Sequence, residues 1–361
     1  MPGSPTDRAD LRSRIDKALE AFLGRQRPRL DAISDDLGPF ADALGGFVVD
    51  GGKRLRAAFC YWGCRGAGGE DTDHLIACAA ALEWLQACAL IHDDVMDGSD
   101  TRRGQPAVHR RFAAMHRNAG WGGDGDAFGT SSAILLGDLG LIWADEMLNT
   151  SGMPPDALRR AQPVYDEMRT ELMAGQYLDL LEQALGGGSV PRAMTVARYK
   201  SAKYTIERPL HLGAALACGD ETDTYVAAYS AYGLPLGEAF QLRDDILGVF
   251  GDPSETGKPA GDDLREGKRT VLVAKALEAA SPTQAAVVRE HLGDPGLTED
   301  GVARLRQVIT ETGALAATEA MIGALAARAV DGLRIPAGRP LEQEASEVLH
   351  ELAAAATARR G

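Results

Sequence analysis

Apolar positions recur along most of the chain at helical spacing and almost nowhere alternate with a period of two. Leu11, Ile15, Ala18, Leu19, Phe22 and Leu23 form one such stripe, which predicts a helix over 7–34 interrupted at Pro28. Residues 36–49 predict a second apolar helix that ends at Gly51-Gly52, and Lys53-Arg54-Leu55-Arg56 opens a long apolar run to about Cys64. The dominant helix is predicted from Asp71-Thr72-Asp73 to about Asp97, with Gly98 as its stop. Residues 118–130 are glycine-rich and poor in apolar side chains, which predicts a mobile loop able to cover a site. Further helices are predicted over 131–149, 156–184, 191–218 with a kink at Pro209, 222–250, 270–280, 282–292, 298–330 and 340–358. No internal repeat stands out. The fold class is therefore all-α, a large single-domain helical bundle over 1–361 around a central apolar cavity.

Composition narrows the function. At 361 residues and 45% hydrophobic, the chain can bury a large core. A net charge of −14 argues against nucleic-acid binding. Cys60, Cys64, Cys78, Cys88 and Cys218 are odd in number and lack CxxC pairing, as expected of reduced thiols. The polar N-terminus carries no apolar signal region, and no stretch is expected to reach the length of a membrane span. These features predict a soluble, cytoplasmic protein without stable membrane insertion. Lysine is rare, and Lys53, Lys203, Lys258 and Lys268 all fall inside the motifs below.

Candidate chemistry begins at the end of the dominant helix. Asp93 and Asp97 are four apart, so a helix stacks them on one face beside Asp94. Like charges at that spacing repel, and a divalent cation reverses the sign. Hard oxygens without Cys or His suit Mg²⁺. A solvated acidic helix end is an equal reading of this motif alone. Asp244-Asp245 repeats the pair on a second apolar helix, and two such clusters facing one another across a bundle cavity would make a site. Gly51-Gly52-Lys53-Arg54-Leu55-Arg56 places three cations after a flexible turn, and Arg102 and Arg103 follow the first Asp cluster. Carboxylates for Mg²⁺, ringed by cations and embedded in apolar helices, describe substrates with diphosphate heads and greasy tails.

These motifs, with Phe128-Gly129 to Gly137-Asp138, Lys203, Phe240 to Asp245, Gly257-Lys258-Pro259 and Gly267 to Thr270, resemble the trans-prenyl diphosphate synthases, the polyprenyl synthetase family, and bacterial geranylgeranyl diphosphate synthases most. The resemblance covers about 45–275. It implies the isoprenoid synthase type of fold, a homodimer, and three Mg²⁺ ions per active site. It implies that Asp93, Asp97 and Asp94, and Asp244 with Asp245, bind metal. It assigns Lys53, Arg56 and Arg103, joined by Gln86, to the diphosphate of isopentenyl diphosphate. Arg102, Lys203, Gln241, Lys258 and Lys268 would grip the allylic diphosphate. The chain departs from the family where a third Asp of the second cluster is replaced by Gly248, leaving Asp252 as the next acid. The implied reaction adds isopentenyl diphosphate to dimethylallyl, geranyl or farnesyl diphosphate. Cys88, Ala89 and Leu85 precede Asp93 on its helix and would set chain length. Small Cys88 and Ala89 let the tail pass, giving a product of about C20, geranylgeranyl diphosphate, or farnesyl diphosphate, at roughly one unit per helical turn. A class I terpene cyclase and a non-catalytic subunit of a heteromeric prenyl synthase are the alternatives.

Overall fold

The computed structural model describes residues 5–219, 222–252, 261–294, 296–333 and 340–357, so Lys258, with Gly257 and Pro259, lies outside the described residues. The described elements are helices α1 (Leu11–Asp31), α2 (Gly38–Val49), α3 (Leu55–Gly66), α4 (Asp73–Met96), a hairpin of β1 (Thr101–Arg102) and β2 (Gln105–Pro106), and helices α5 (Val108–Asn118), α6 (Gly125–Asn149), α7 (Pro155–Leu185) and α8 (Val190–Val196). A π-helical stretch, Ala197–Glu207, leads into α9 (Arg208–Ala217) and α10 (Thr222–Phe250). The last are α11 (Asp262–Arg265), α12 (Val271–Ala279), α13 (Pro282–His291), α14 (Glu299–Glu311), α15 (Ala314–Gly332) and α16 (Gln343–Thr357). The all-α class is thus observed. Two compact units result, Met1–Ala161 with Gly213–Gly219 and Gln162–Leu212 with Asp220–Gly361.

The first unit is built on α4 against α6. Thr72 caps α4 by accepting from the Leu75 N–H, and Asp124 caps α6 by accepting from Asp126 and Ala127. That cap starts α6 at Gly125, so the expected loop over 118–130 is shorter and its second half is helix. Gly140 lets the two helices close up, since a Cβ there would lie 3.3 Å from the Trp84 carbonyl and 3.4 Å from the Cys88 nitrogen. Trp84 stacks edge-on against Trp143 at 5.2 Å and lies 5.7 Å from Phe22. A buried aromatic of this size removes about 150–250 Å² from water, worth roughly 4–6 kcal/mol as an upper bound. Pro28 does not interrupt α1, which runs through it to Asp31.

By length and composition α4 and α6 are apolar enough to cross a membrane, against the expectation that no stretch reaches that length. The apolar window of α4 is 72% buried inside the protein and that of α6 44%. Helix packing, not lipid, takes up the apolar surface of α4.

In the second unit α10 is central, with the π-helical stretch and α15 packed on it. Gly237 of α10 approaches the Ala202 backbone, where a Cβ would stand 2.6 Å from the carbonyl oxygen. The π-helix ends where the Arg208 N–H donates to the Lys203 carbonyl, five residues back, just ahead of Pro209, which has no N–H to give. Leu242, Ile246 and Val249 bury against Leu264, Leu272, Val302 and Leu305. The single helix expected over 298–330 is two, α14 and α15, bent by 63° at Gly313, whose φ of 76° only glycine adopts cheaply.

Candidate active site

In the first unit the acidic end of α4 meets the β1–β2 hairpin. Arg103 (φ 55°) and Gly104 (φ 73°) form its turn, the left-handed pair that a two-residue hairpin needs. The hairpin carries Arg102 back to α4, where Nε donates to Asp94 Oδ1 at 2.8 Å and Nη2 to Asp93 Oδ2 at 3.3 Å. Asp94 is fully buried and Asp93 9% exposed. Asp97 closes α4, its N–H donating to the Asp93 carbonyl at 2.8 Å. Asp93 and Asp97 are thus one turn apart, as their spacing predicts.

Arg103 points the other way, over the Phe47 ring at 5.3 Å and donating to the Phe47 carbonyl at 3.1 Å. It fills the space that a side chain at Gly51 would need, and Gly52 (φ 101°) turns the chain beneath it. Burial holds the Arg103 guanidinium below its ordinary value. Glu83 opposes that shift, while Arg102, Arg54 and Arg56 add to it. The Arg103 and Arg54 guanidinium groups meet where the loop 51–56 reaches the hairpin, each with a nitrogen 3.5 Å from the point a Cβ on Gly52 would take. Lys53 beside them is exposed, and Arg56 and Gln86 are half-buried. Guanidinium groups gathered at one turn are able to hold an anion. The sequence brought Lys53, Arg56, Arg103 and Gln86 to attention and counted Arg54 among the loop cations, but not Glu83 or its pairing with Arg54, which no spacing reveals.

The residues proposed to measure chain length differ in burial along α4. Cys88 faces α6, with Sγ 3.8 Å from His92 Nδ1, while the His92 ring reaches the Ile134 carbonyl at 3.0 Å. Leu85 is buried and Ala89 half-buried, at i−8 and i−4 from Asp93.

In the second unit Gln241 Nε2 donates to Asp245 Oδ1 at 2.7 Å. Burial pushes the Asp245 carboxyl up to about 8; the Gln241 hydrogen bond opposes this, the Asp263 and Asp244 charges add to it, and Lys268 opposes it. Asp244 is half-buried one residue before. Asp263, at the start of α11, presses its carboxylate onto the Gly248 backbone; it went unnoticed in the sequence because it is 15 residues away. Asp252 lies exposed beyond the end of α10. Lys268 sits 2.8 Å from Glu266 and 3.5 Å from Asp263. Lys203, in the π-helical stretch, is ion-paired with Glu171 and lies 3.8 Å from Glu207. Burial would raise the Glu171 carboxyl, but hydrogen bonds from Arg208 and Lys203 hold it below its ordinary value.

Among the described residues no three acidic, His or Cys side chains form a ready-made metal cage. Magnesium does not need one, since it keeps waters and shares substrate phosphate oxygens. Burial is the main reason the Asp245 carboxyl is raised, with the Asp263 and Asp244 charges adding to it, and the all-oxygen donor sets of both clusters fit a hard divalent cation.

The family described as Polyprenyl synthetase matches residues 40–311, a span that runs through both units. A geranylfarnesyl diphosphate synthase of Aeropyrum pernix is 33% identical over 330 residues, covering 89% of this chain and 95% of that one. A geranylgeranyl diphosphate synthase of Mycobacterium tuberculosis is 33% identical over 267 residues, covering 73% and 69%. Among solved structures, geranylgeranyl pyrophosphate synthase from Corynebacterium glutamicum, complexed with isoprenyl diphosphate and magnesium, superposes with a TM-score of 0.93 at 41% identity, covering 97% of this chain and 99% of that one.

Proposed function

The chain belongs to the polyprenyl synthetase family and is a trans-prenyl diphosphate synthase, and on that premise we propose that it makes mainly geranylgeranyl diphosphate in a Mg²⁺-dependent reaction. It does so by condensing isopentenyl diphosphate with dimethylallyl, geranyl or farnesyl diphosphate. The observation that carries this reading is Arg102 held against the Asp93 and Asp94 carboxylates, while its neighbour Arg103 turns to the Gly51-Gly52 loop. Anion-binding and cation-binding groups side by side suit a metal diphosphate.

Lys53, Arg56 and Arg103, with Gln86, bind the isopentenyl diphosphate head. Arg102, Lys203, Gln241, Lys258 and Lys268 bind the allylic head. Asp93, Asp94, Asp97, Asp244 and Asp245 would hold three Mg²⁺ ions with the allylic diphosphate. Bound Mg²⁺ supplies charge neutralisation for the leaving diphosphate. Arg102 orients Asp93 and Asp94, and Glu171 orients Lys203. The isopentenyl double bond attacks the allylic carbocation, and released diphosphate takes the proton. Apolar walls keep water from that cation. Ala89 on the Asp93 face leaves the growing tail room, which supports a product beyond farnesyl.

The exposed side of α6 carries Ile134, Leu135 and Ile142, at 45%, 60% and 59% exposure. That apolar stripe supports a homodimer through α6. The protein is proposed to be cytoplasmic.

Incubating the purified chain with Mg²⁺, farnesyl diphosphate and isopentenyl diphosphate tests the reading. Elongated prenyl diphosphate should form only with both substrates and vanish with excess chelator. Hydrocarbon from the allylic substrate alone identifies a cyclase, and no turnover by the chain alone identifies a non-catalytic subunit.

A further inference from the structure

Arg54 is the one cation of the loop 51–56 whose side chain is 4% exposed. Its backbone is left-handed, φ 53° and ψ 31°, a conformation that costs a non-glycine residue about 1 kcal/mol or more. The turn aims the guanidinium inward. Nε donates to Asp16 Oδ1 of α1 at 2.8 Å, Nη1 to Glu83 Oε2 of α4 at 3.2 Å, and Nη2 to the Val49 carbonyl at the end of α2 at 3.1 Å. One side chain thus ties the loop to three helices.

Glu83 is only 6% exposed, and its Oε1 has no hydrogen bond. It stands on α4 one turn before Gln86, on the face that leads to Asp93 and Asp97. The absent Cβ of Gly52 marks how tightly these charges crowd. That point lies 3.5 Å from Arg103 Nη2, 3.5 Å from Arg54 Nη1 and 3.6 Å from Glu83 Oε2. Two guanidinium groups therefore flank one buried carboxylate, and the carboxylate has a direct hydrogen bond from Arg54.

We propose that Arg54 is a positioning residue of the isopentenyl diphosphate pocket, which occupies Glu83 so that Arg103 is left to the incoming diphosphate. The inference rests on the prenyltransfer reading above. Without Arg54, a buried carboxylate with an unused oxygen lies beside Arg103. A buried carboxylate without its partner is strongly unfavourable, so Glu83 takes Arg103 as its replacement. The pocket then loses a forked donor to an internal competitor, while the allylic head, held by other residues, is unaffected.

The test compares Arg54→Met with the double variant Arg54→Met/Glu83→Leu, which also removes the competing carboxylate. Arg54→Met should raise the KM for isopentenyl diphosphate about tenfold or more, the loss of one charged hydrogen bond, with the allylic KM changed less than about twofold. The double variant should return the isopentenyl KM to within about threefold of wild type. Calorimetric binding of inorganic diphosphate should follow the same order without turnover. A merely structural role would raise both KM values alike or leave the double variant no better than the single, and either result overturns the proposal. If Arg54→Met does not fold, the folded double variant decides: an isopentenyl KM near wild type supports the proposal, and one raised tenfold refutes it. A wild-type chain without prenyltransfer, but with the same order of diphosphate binding, would fail the functional reading alone.

Discussion

Gly248 offers a substitution in which two effects oppose one another and the structure says which wins. The residue lies within α10, where alanine is favoured over glycine by up to about 1 kcal/mol. Propensity alone therefore predicts that Gly248→Ala stabilises the protein. The new Cβ, however, would fall on Oδ2 and Cγ of Asp263, with Oδ1 at 3.1 Å. Asp263 cannot swing aside freely. Its side chain is 15% exposed with Lys268 Nζ 3.5 Å away, and its carbonyl accepts from the Lys268 N–H at 3.0 Å. Forcing a methyl into such a contact costs about 1–3 kcal/mol. Gly248→Ala should then destabilise by about 1 kcal/mol net. In an Asp263→Ala background the obstruction is gone, and the same change should stabilise by about 1 kcal/mol. The sign reversal amounts to a coupling of about 2 kcal/mol, which a double-mutant cycle resolves. Urea unfolding midpoints at constant m report it. Stabilisation by Gly248→Ala in both backgrounds would refute the placement of Asp263 against α10.

Asp93→Ala should leave the thermal melt unchanged within a few degrees yet lower turnover at least ~100-fold, since the carboxylate proposed to bind metal is lost; near-normal steady-state rates would remove Asp93 from the site. Ala89→Phe should shift the main product from about C20 toward C15, roughly one unit per helical turn; chromatography showing the same length at retained activity would mean α4 does not measure the tail. Burial, with the Arg208 and Lys203 charges, depresses the His211 imidazole from 6.5 to about 3. The unfolded chain therefore binds a proton that the folded one refuses across that window, and stability falls as pH drops through it. His211→Gln should flatten the melting temperature between pH 6.5 and 4, by up to about 1.4 kcal/mol per pH unit; an unchanged acid limb would show that another group governs it.

The helical class, most helix positions and the stacking of the first Asp pair were legible in the linear pattern, because helical burial repeats every three or four residues and carboxylates at i and i+4 share a face. Asp93 and Asp97 stand one turn apart, as their spacing alone requires. Pattern failed where a local rule was overridden. Pro28 sits inside α1, the cap at Asp124 turns half of a glycine-rich stretch into helix, and Gly313 breaks a continuous apolar run. Tertiary structure alone decided which cation of the loop 51–56 is buried on an internal carboxylate. Lys53, Arg54 and Arg56 are near-equivalent in sequence, yet a left-handed backbone at Arg54 turns that guanidinium into a buried contact with Glu83, 29 residues away. It likewise brought Asp263 to Gly248. Charge and periodicity are properties of neighbours along the chain, whereas the partner of a buried charge is set by which helices pack together, and only packing fixes that.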